Sequence, residues 1–175
     1  MRRPPPRYHL RVFHGRRNIS ANALAAVLLS AVASLFVSLS VHGDAQDPWT
    51  PVETVAPAQL VGELKQGKDP QLTLIYVGMK ALYAGAHIPG AVYYGAGSTE
   101  QGLSELKKFA ASLPKSSDVV LYCGCCPLEK CPNLRPAFSA LKDTGFARLR
   151  VLILPTSFHA DWVEKGYPIH QGSTP

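Results

Sequence analysis

Short apolar runs alternate with helically spaced apolar residues along most of the chain, from about residue 57 onward. The runs predict four strands, at 71–78, 88–94, 118–123 and 148–154, because nearly continuous apolar runs are typical of strands buried on both faces. The spaced segments predict helices, at 57–68, 80–87, 98–113, 133–146 and 157–168. This alternation predicts an α/β domain with a parallel sheet covered by helices on both faces.

The segments between these elements set the predicted boundaries. Ser98 with Gln101 has the pattern of a capping box at the start of a helix. Residues 44–56 are rich in proline and predict an extended linker. We therefore expect the folded domain to occupy residues 57–172, with the linker at 44–56 and a separate leader at 1–43.

The leader carries the net charge of the chain. Its six arginines precede Asp44, the first acidic residue, and the remaining 12 Lys+Arg balance all 12 Asp+Glu. An uncharged run of small and apolar residues, 18–41, follows the arginines and is typical of a signal peptide or an uncleaved membrane anchor. Either interpretation predicts export, to the periplasm or to the outer face of a membrane. A nucleic-acid partner is not expected, because such proteins carry the basic charge on the folded domain.

All four cysteines lie within nine residues, at Cys123, Cys125, Cys126 and Cys131. The segment follows a predicted strand and leads into the helix predicted to begin at Asn133. Ligands of parallel sheets bind beyond the carboxyl ends of the strands, and backbone amides at a helix N-terminus favour an anion. A cysteine in this loop is therefore expected to have a lowered pKa and to be a good nucleophile.

The order of four segments resembles the rhodanese family: AHIPGAVYY (86–94), VVLYC (119–123), ALKDTGFARLRVLIL (140–154) and DWVEKGYPI (161–169). The resemblance covers roughly residues 51–172. It implies a single rhodanese-like domain and a sulfurtransferase that carries a persulfide on Cys123. It also implies a small sulfur donor, such as thiosulfate, and a thiol or cyanide-like acceptor. No cofactor is expected, the membrane is expected to be contacted only through the leader, and the protein is expected to be a monomer.

The sequence departs from the family pattern around the expected site. The acidic and basic pair that ends the first strand in the family is replaced by Tyr76-Val77-Gly78, Ala86 replaces a glycine, and LPTS (154–157) replaces a glycine pair. The cysteine loop is also longer than usual. Two cations lie near it, Lys130 and Arg135, and we expect them to attract an anionic donor. The amides expected to hold the persulfide belong to one segment: Gly124, Cys125, Cys126, Leu128, Glu129 and Lys130.

Three other interpretations of the cysteine loop remain open. Cys123 and Cys126 form a C-x-x-C pair at a strand-to-helix junction, which is typical of thiol–disulfide exchange. Four thiols also offer soft ligands of the kind that suit Zn or Cu(I), although their spacing matches no structural zinc pattern, and no metal site is expected. In the third interpretation a disulfide closes the loop of a noncatalytic binding module, with Cys126 or Cys125 joined to Cys131. Cys126 and Cys131 are the expected disulfide or resolving pair.

Phosphatase chemistry on a related fold is excluded by counting. Such enzymes need an arginine six positions after the nucleophilic cysteine. The residues six positions after the first three cysteines are Glu129, Cys131 and Pro132.

Overall fold

The computed structural model describes residues 47–67 and 71–172. They contain five parallel strands in the order β1-β5-β4-β2-β3. The strands are β1 (Thr54–Val55), β2 (Leu72–Tyr76), β3 (Val92–Tyr93), β4 (Asp118–Tyr122) and β5 (Arg148–Leu152). The parallel sheet predicted from the apolar runs is thereby confirmed. The predicted leader, 1–43, and the first residues of the predicted linker lie outside the described residues.

Four α-helices connect and cover the strands: α1 (Pro57–Gln66), α2 (Lys80–Gly85), α3 (Glu100–Ala111) and α4 (Leu134–Lys142). The described ranges hold no helix with the length and apolar character that a bilayer span needs. The closing helix predicted at 157–168 is reduced to a π-helical turn, His159–Val163. It stops early because Gly166 turns the chain back with φ +69°, and the Trp162 ring nitrogen donates to the Pro168 carbonyl at 2.8 Å.

The helices bury the two faces of the sheet in separate apolar clusters. On one face Val119 and Leu121 of β4 pack against side chains from α3 and α4, including the fully buried Phe138. On the other face Val120 and Tyr122 pack against α1, α2 and Trp162. This alternation follows from the two-residue side-chain period of a strand. Truncating a side chain such as Phe138 in a core of this kind costs about 3–5 kcal/mol.

The predicted linker contributes to the sheet. Thr54 and Val55 pair with Val151 and Leu152 of β5 as a short edge strand, and Trp49 packs edge-on against Phe138 with the ring centroids 5.5 Å apart. The prolines around these residues predict a linker. Proline is nevertheless tolerated beside a short edge strand, which is what the structure has here.

The predicted capping box on α3 is wrong. The capping residue is Thr99, whose side-chain oxygen accepts a hydrogen bond from the Gly102 amide at 3.1 Å. Ser98 instead donates its backbone N–H to Asn133 Oδ1. This contact places Ser98 beside the cysteine loop, and it takes part in the site described next.

Candidate functional site

The cysteine loop begins where β4 ends, at the carboxyl edge of the sheet. Cys123 follows Tyr122 and is 1% exposed. Gly124 then turns the chain with φ +73°, a conformation that favours glycine. A Cβ at this position would lie 2.6 Å from the Phe158 Cβ. The Gly124 carbonyl also accepts a hydrogen bond from the Phe158 amide at 2.9 Å. The turn is therefore held tightly, and it directs the following residues across the edge of the sheet.

The loop ends at the N-terminus of α4, where Cys131 meets backbone amides. The N–H groups of Asn133 and Leu134 donate to its sulfur. Pro132 separates Cys131 from Asn133, the N-cap residue of α4, so the thiol stands just before the helix. Amides and the helix dipole both favour a negative charge at this point. Cys131 is therefore the thiol that the fold equips to be an anion.

Three sulfur atoms meet at this edge of the sheet. The Sγ atoms of Cys123, Cys125 and Cys131 all lie within 4.8 Å of one another. The Cys123 thiol donates to the Cys125 sulfur at 3.1 Å, and Cys125 contacts the Cys126 sulfur at 3.4 Å. All four cysteines are free thiols in the structure. The Cys123–Cys125 contact is shorter than the Cys125–Cys126 contact. Cys123 with Cys125 is none of the three pairs expected from the sequence, which were Cys123 with Cys126 and Cys131 with either Cys125 or Cys126.

Asn133 orients hydrogen-bond donors toward these sulfurs. Its side chain is buried, and its Oδ1 atom accepts the Ser98 amide at 3.1 Å. That bond turns the Nδ2 group the other way, where it donates to the Cys123 and Cys125 sulfurs, each at 3.6 Å. A donor fixed in this way stabilises negative charge on either sulfur.

The surroundings separate the ionisation of the thiols. The single proton of the Cys123 thiol has two sulfur acceptors, Cys125 and Cys131. Its hydrogen bond to Cys131 lowers the pKa of Cys131 the most, and the helix amides lower it further against the opposing effect of burial. The same hydrogen bond and burial raise the pKa of Cys123. Burial, followed by the contact with Cys125, raises the pKa of Cys126 to about 12. The lowered pKa expected in this loop therefore belongs to Cys131, while the pKa of Cys123, the expected nucleophile, is raised.

The two cations expected to attract an anionic donor, Arg135 and Lys130, have different surroundings. Arg135 donates to the carbonyls of Leu128, Glu129 and Cys131 at 3.1, 3.3 and 3.4 Å. It also forms an ion pair with Asp47 at 2.7 Å. Arg135 therefore holds the loop from outside, and its charge is already compensated. Lys130 is exposed on the surface.

Only part of the predicted amide cradle faces the sulfurs. The Leu128 amide donates to the Pro155 carbonyl at 3.2 Å, and the Lys130 amide donates to the Pro127 carbonyl at 2.9 Å. The Cys125 amide, by contrast, donates to the Cys123 sulfur. Those two outer amides thus shape the loop, and the donors at the sulfurs come from Cys125, from the start of α4 and from Asn133.

A pocket of about 380 Å³ opens against this cluster. Gly124 and Cys125 form one wall, and mostly apolar residues form the rest: Tyr76, Ala81, Leu82, Gly85, Ala86, Ser157, Phe158, His159 and Val163. No lysine or arginine is among these described lining residues. His159 pairs with Glu164 at 3.3 Å. The pocket therefore suits an apolar group better than a small dianion.

The replaced strand end explains how the pocket meets the sulfurs. A Cβ on Gly78 would lie 2.5 Å from the Tyr76 hydroxyl and 2.9 Å from the Cys123 sulfur. Gly78 therefore lets the Tyr76 ring and the Cys123 thiol share one space. Where the family pattern has an acid and a base, this chain presents a buried tyrosine whose pKa is raised by burial.

Sequence reasoning missed two features of this site. The sequence pattern marks Asn133 only as the start of a helix, although an asparagine beside a cysteine loop offers a side-chain donor. The role of Cys131 as the favoured anion was also missed. The Cys-Pro-Asn-Leu order is the available signal, because it places a thiol directly before the free amides of a helix.

Comparison with known proteins identifies the fold. No family model and no curated protein matches the chain. Among solved structures, the rhodanese-like domain of the Anabaena sp. Alr3790 protein is 22% identical, with a TM-score of 0.51, and the match covers 68% of this chain and 79% of that one. The Pseudomonas aeruginosa thiosulfate sulfurtransferase is 23% identical over 70% of this chain and 20% of its own, also with a TM-score of 0.51.

A third match is a persulfide form of EanB in a tetrahedral intermediate state with ergothioneine. It is 21% identical over 67% of this chain and 28% of its own, with a TM-score of 0.51. The chain therefore has the fold of rhodanese-like domains, as the resemblance implied. At these identities the likeness concerns the fold alone.

Proposed function

We propose that this protein is a sulfurtransferase that carries a persulfide on Cys123. The observation that supports it most is the sulfur cluster at the carboxyl edge of the sheet, where Cys123 lies beside Cys131, a thiol of lowered pKa, and fixed hydrogen-bond donors. Two matches on the same fold are named as a thiosulfate sulfurtransferase and as a persulfide form. The proposal keeps the nucleophile expected from the sequence and assigns its activation to Cys131.

Cys131 takes the proton from Cys123 in the loading step. The Cys123 sulfur attacks the outer sulfur of a donor R–S–SH, the S–S bond of the donor breaks, and R–S⁻ leaves with the bonding electrons and recovers a proton. The products are the Cys123 persulfide and R–SH, so nothing is oxidised or reduced overall. An acceptor thiol then attacks the outer sulfur and releases Cys123. Both steps follow the ordinary course of thiol exchange.

The apolar pocket supports a donor with an alkyl or aryl body. Thiosulfate is a small dianion and needs cations, whereas Arg135 is held by Asp47 and three carbonyls. An organic persulfide can bury its carbon body against Leu82 and Phe158 and place its sulfurs near Cys125. Cys123 is 1% exposed, so the half-buried Cys125 side chain must move aside during loading. Cys125 acts here as a gate and is not required for the chemistry.

The experiment is a sulfur-transfer assay on the reduced full-length protein, with an alkyl persulfide or thiosulfate as the donor and cyanide as the acceptor. We expect Cys123→Ala to reduce thiocyanate formation at least 100-fold. Cys125→Ala should retain it, and so should the matched control Cys126→Ala. The alkyl persulfide should be the better donor. Activity retained in Cys123→Ala would move the nucleophile to another cysteine and overturn the proposal.

A second candidate is thiol–disulfide exchange, which one distance favours. The Cys123 and Cys125 sulfurs lie 3.1 Å apart, close enough to join with a small shift. The candidate pair is therefore Cys123 with Cys125, in place of the Cys123 and Cys126 pair of the sequence interpretation. Titration of the reduced protein against a glutathione buffer tests it. A defined potential that disappears in Cys125→Ala supports exchange, and a cluster that stays reduced across the buffer range contradicts it.

Export remains a proposal based on the leader sequence. The arginines before Asn18 and the uncharged run after it support a location outside the cytoplasm. Cell fractionation of the full-length protein, with N-terminal sequencing of the recovered chain, tests this. Recovery of the intact chain from the cytoplasmic fraction would contradict it.

A further inference from the structure

The three-sulfur cluster has the geometry of a metal site. Sulfurs bound to one ion at the usual metal–thiolate length of about 2.3 Å lie about 4.0 Å apart in a plane. The Cys123 and Cys125 sulfurs are 3.1 Å apart, and all three sulfurs lie within 4.8 Å of one another. Small rotations of the side chains would therefore bring all three to one central ion. We propose that Cys123, Cys125 and Cys131 bind a single Cu(I) ion.

The neighbouring donors suit bound thiolates. Metal-bound thiolates carry negative charge, which hydrogen bonds from surrounding N–H groups stabilise. The Asn133 side chain donates to the Cys123 and Cys125 sulfurs, and the amides of Asn133 and Leu134 donate to Cys131. The bond from Ser98 fixes the Asn133 amide in this orientation. Every sulfur of the cluster thus has an N–H donor before any ion arrives.

The ligand set selects the class of metal. Thiolates are soft ligands, and they favour Cu(I) over hard cations such as Mg²⁺ and Ca²⁺. Zinc in structural sites takes four ligands in a tetrahedron. Among the described residues, the group that meets this geometry contains three cysteines, with no histidine or carboxylate to complete a fourth position. Three sulfurs in a largely buried site fit the low coordination number that Cu(I) accepts.

Cys126 provides a matched control within the same loop. Its sulfur lies 3.4 Å from that of Cys125, but it does not belong to the three-sulfur group. Cys125 and Cys126 are neighbours in sequence and are both half-buried, so substituting either one disturbs the fold to a similar degree. A difference in copper binding between their alanine variants therefore reports ligation.

The test is an anaerobic titration of the reduced full-length protein with Cu(I) against a chromogenic Cu(I) chelator. We expect one tightly bound ion per chain, with affinity at least about 100-fold weaker in Cys125→Ala and little changed in Cys126→Ala. X-ray absorption of the wild-type complex should show three sulfur ligands at about 2.3 Å. This second measurement does not depend on the folding of any variant.

Three results would overturn the copper site: uptake of less than one ion per chain, equal loss of affinity in the two variants, or displacement of Cu(I) by equimolar Zn²⁺. The inference is independent of sulfur transfer, because the titration measures copper uptake alone and involves no sulfur donor or acceptor. Failure of the transfer assay would leave the titration result intact. Bound Cu(I) should also block sulfur loading of the wild type, because it occupies the Cys123 sulfur.

Discussion

The two ends of β4 contrast within one strand. At its start, the buried Asp118 carboxylate faces cations, with Arg150 at 2.6 Å and Arg148 at 3.0 Å, and Arg150 in turn pairs with Glu63 at 2.9 Å. After its last residue, Cys123 meets other thiols and the polar side chain of Asn133. Opposite charges that satisfy each other hold a structure together. A thiol whose proton has more than one acceptor can instead pass that proton to a neighbour. The start of β4 therefore stabilises the fold, whereas the end of β4 is suited to a reaction.

A pocket is present at both edges and does not by itself mark a site. The cavity at the Asp118 edge, about 480 Å³, is larger than the one beside Cys125. Its charged lining residues, Glu63, Asp118 and Arg148, already take part in the ion-pair network. The smaller pocket lies against a free thiol, Cys125, which is available to react. The position of nucleophilic atoms is therefore more informative here than volume.

The largest expected effect is on stability at the Asp118 edge. Asp118→Asn removes a charge that faces two arginines and leaves Arg150 buried with only Glu63. We expect the free energy of unfolding to fall by about 3–5 kcal/mol, while sulfur loading of the folded fraction is unchanged. Urea denaturation measures the first, and the transfer assay at low temperature measures the second.

The exposed Glu105→Gln is the control for this variant and should change stability by no more than about 0.5 kcal/mol. If Asp118→Asn abolished transfer in protein that is still folded, the division of the strand into a structural and a chemical end would be wrong.

The next effect concerns Asn133 as a positioning residue. We expect Asn133→Ala to slow sulfur loading about tenfold, which is the cost of losing a hydrogen bond of about 1.4 kcal/mol to a charged sulfur. Asn133→Asp should be slower still, because its carboxylate keeps the Ser98 contact but repels the thiolate. The single-turnover rate of sulfur loading should fall in the order wild type, Asn133→Ala, Asn133→Asp. A merely structural role predicts the reverse order of the two variants, because Asp preserves the packing and the Ser98 bond.

The ionisation of the cluster supplies a pH test. An ordinary cysteine thiol has a pKa of about 8.5. Because the pKa of Cys131 is lowered, one thiol per chain should ionise below that value. Thiolate absorbance between pH 4 and 8 should show this step in the wild type and lose it in Cys131→Ser. The Cys126→Ser control should keep the step, since the pKa of Cys126 is raised to about 12. A step that survives in Cys131→Ser would place the resting thiolate on another cysteine.

The smallest effect is expected at Arg135. Its guanidinium is partly exposed and joins Asp47 to the loop carbonyls, so Arg135→Gln should cost no more than about 1 kcal/mol. The apparent KM for the donor should stay within about twofold if the arginine only holds the loop. A KM for thiosulfate that rises tenfold, with unchanged KM for an alkyl persulfide, would restore Arg135 to the role predicted from the sequence.

The sequence was sufficient for the sheet because its strands are defined by their own apolar runs. The runs around Leu74, Val120 and Val151 all became buried strands, and the spaced residues of α3 and α4 cover one face. The edge strand β1 was not predictable, because two residues beside prolines have no pattern. Its pairing depends on a contact with β5, about a hundred positions away along the chain.

The site was predictable in place and less so in the role of each residue. The junction of β4 with a helix located the sulfur cluster correctly. Which thiol becomes the anion depends on where the loop brings each sulfur relative to the amides of α4, and a loop containing Gly124 and two Cys-Pro steps has no regular geometry to extrapolate. The same holds for Arg135, whose charge is neutralised by Asp47 from the predicted linker.

Peptide mass spectrometry across residues 118–138 identifies the cysteine that carries the transferred sulfur. The reduced full-length protein is treated with an alkyl persulfide, quenched with an alkylating agent and digested, with Cys126→Ala treated in parallel. We expect one added sulfur atom on Cys123 in both proteins. Sulfur found only on Cys125, Cys126 or Cys131, or no added sulfur at any cysteine, would contradict it.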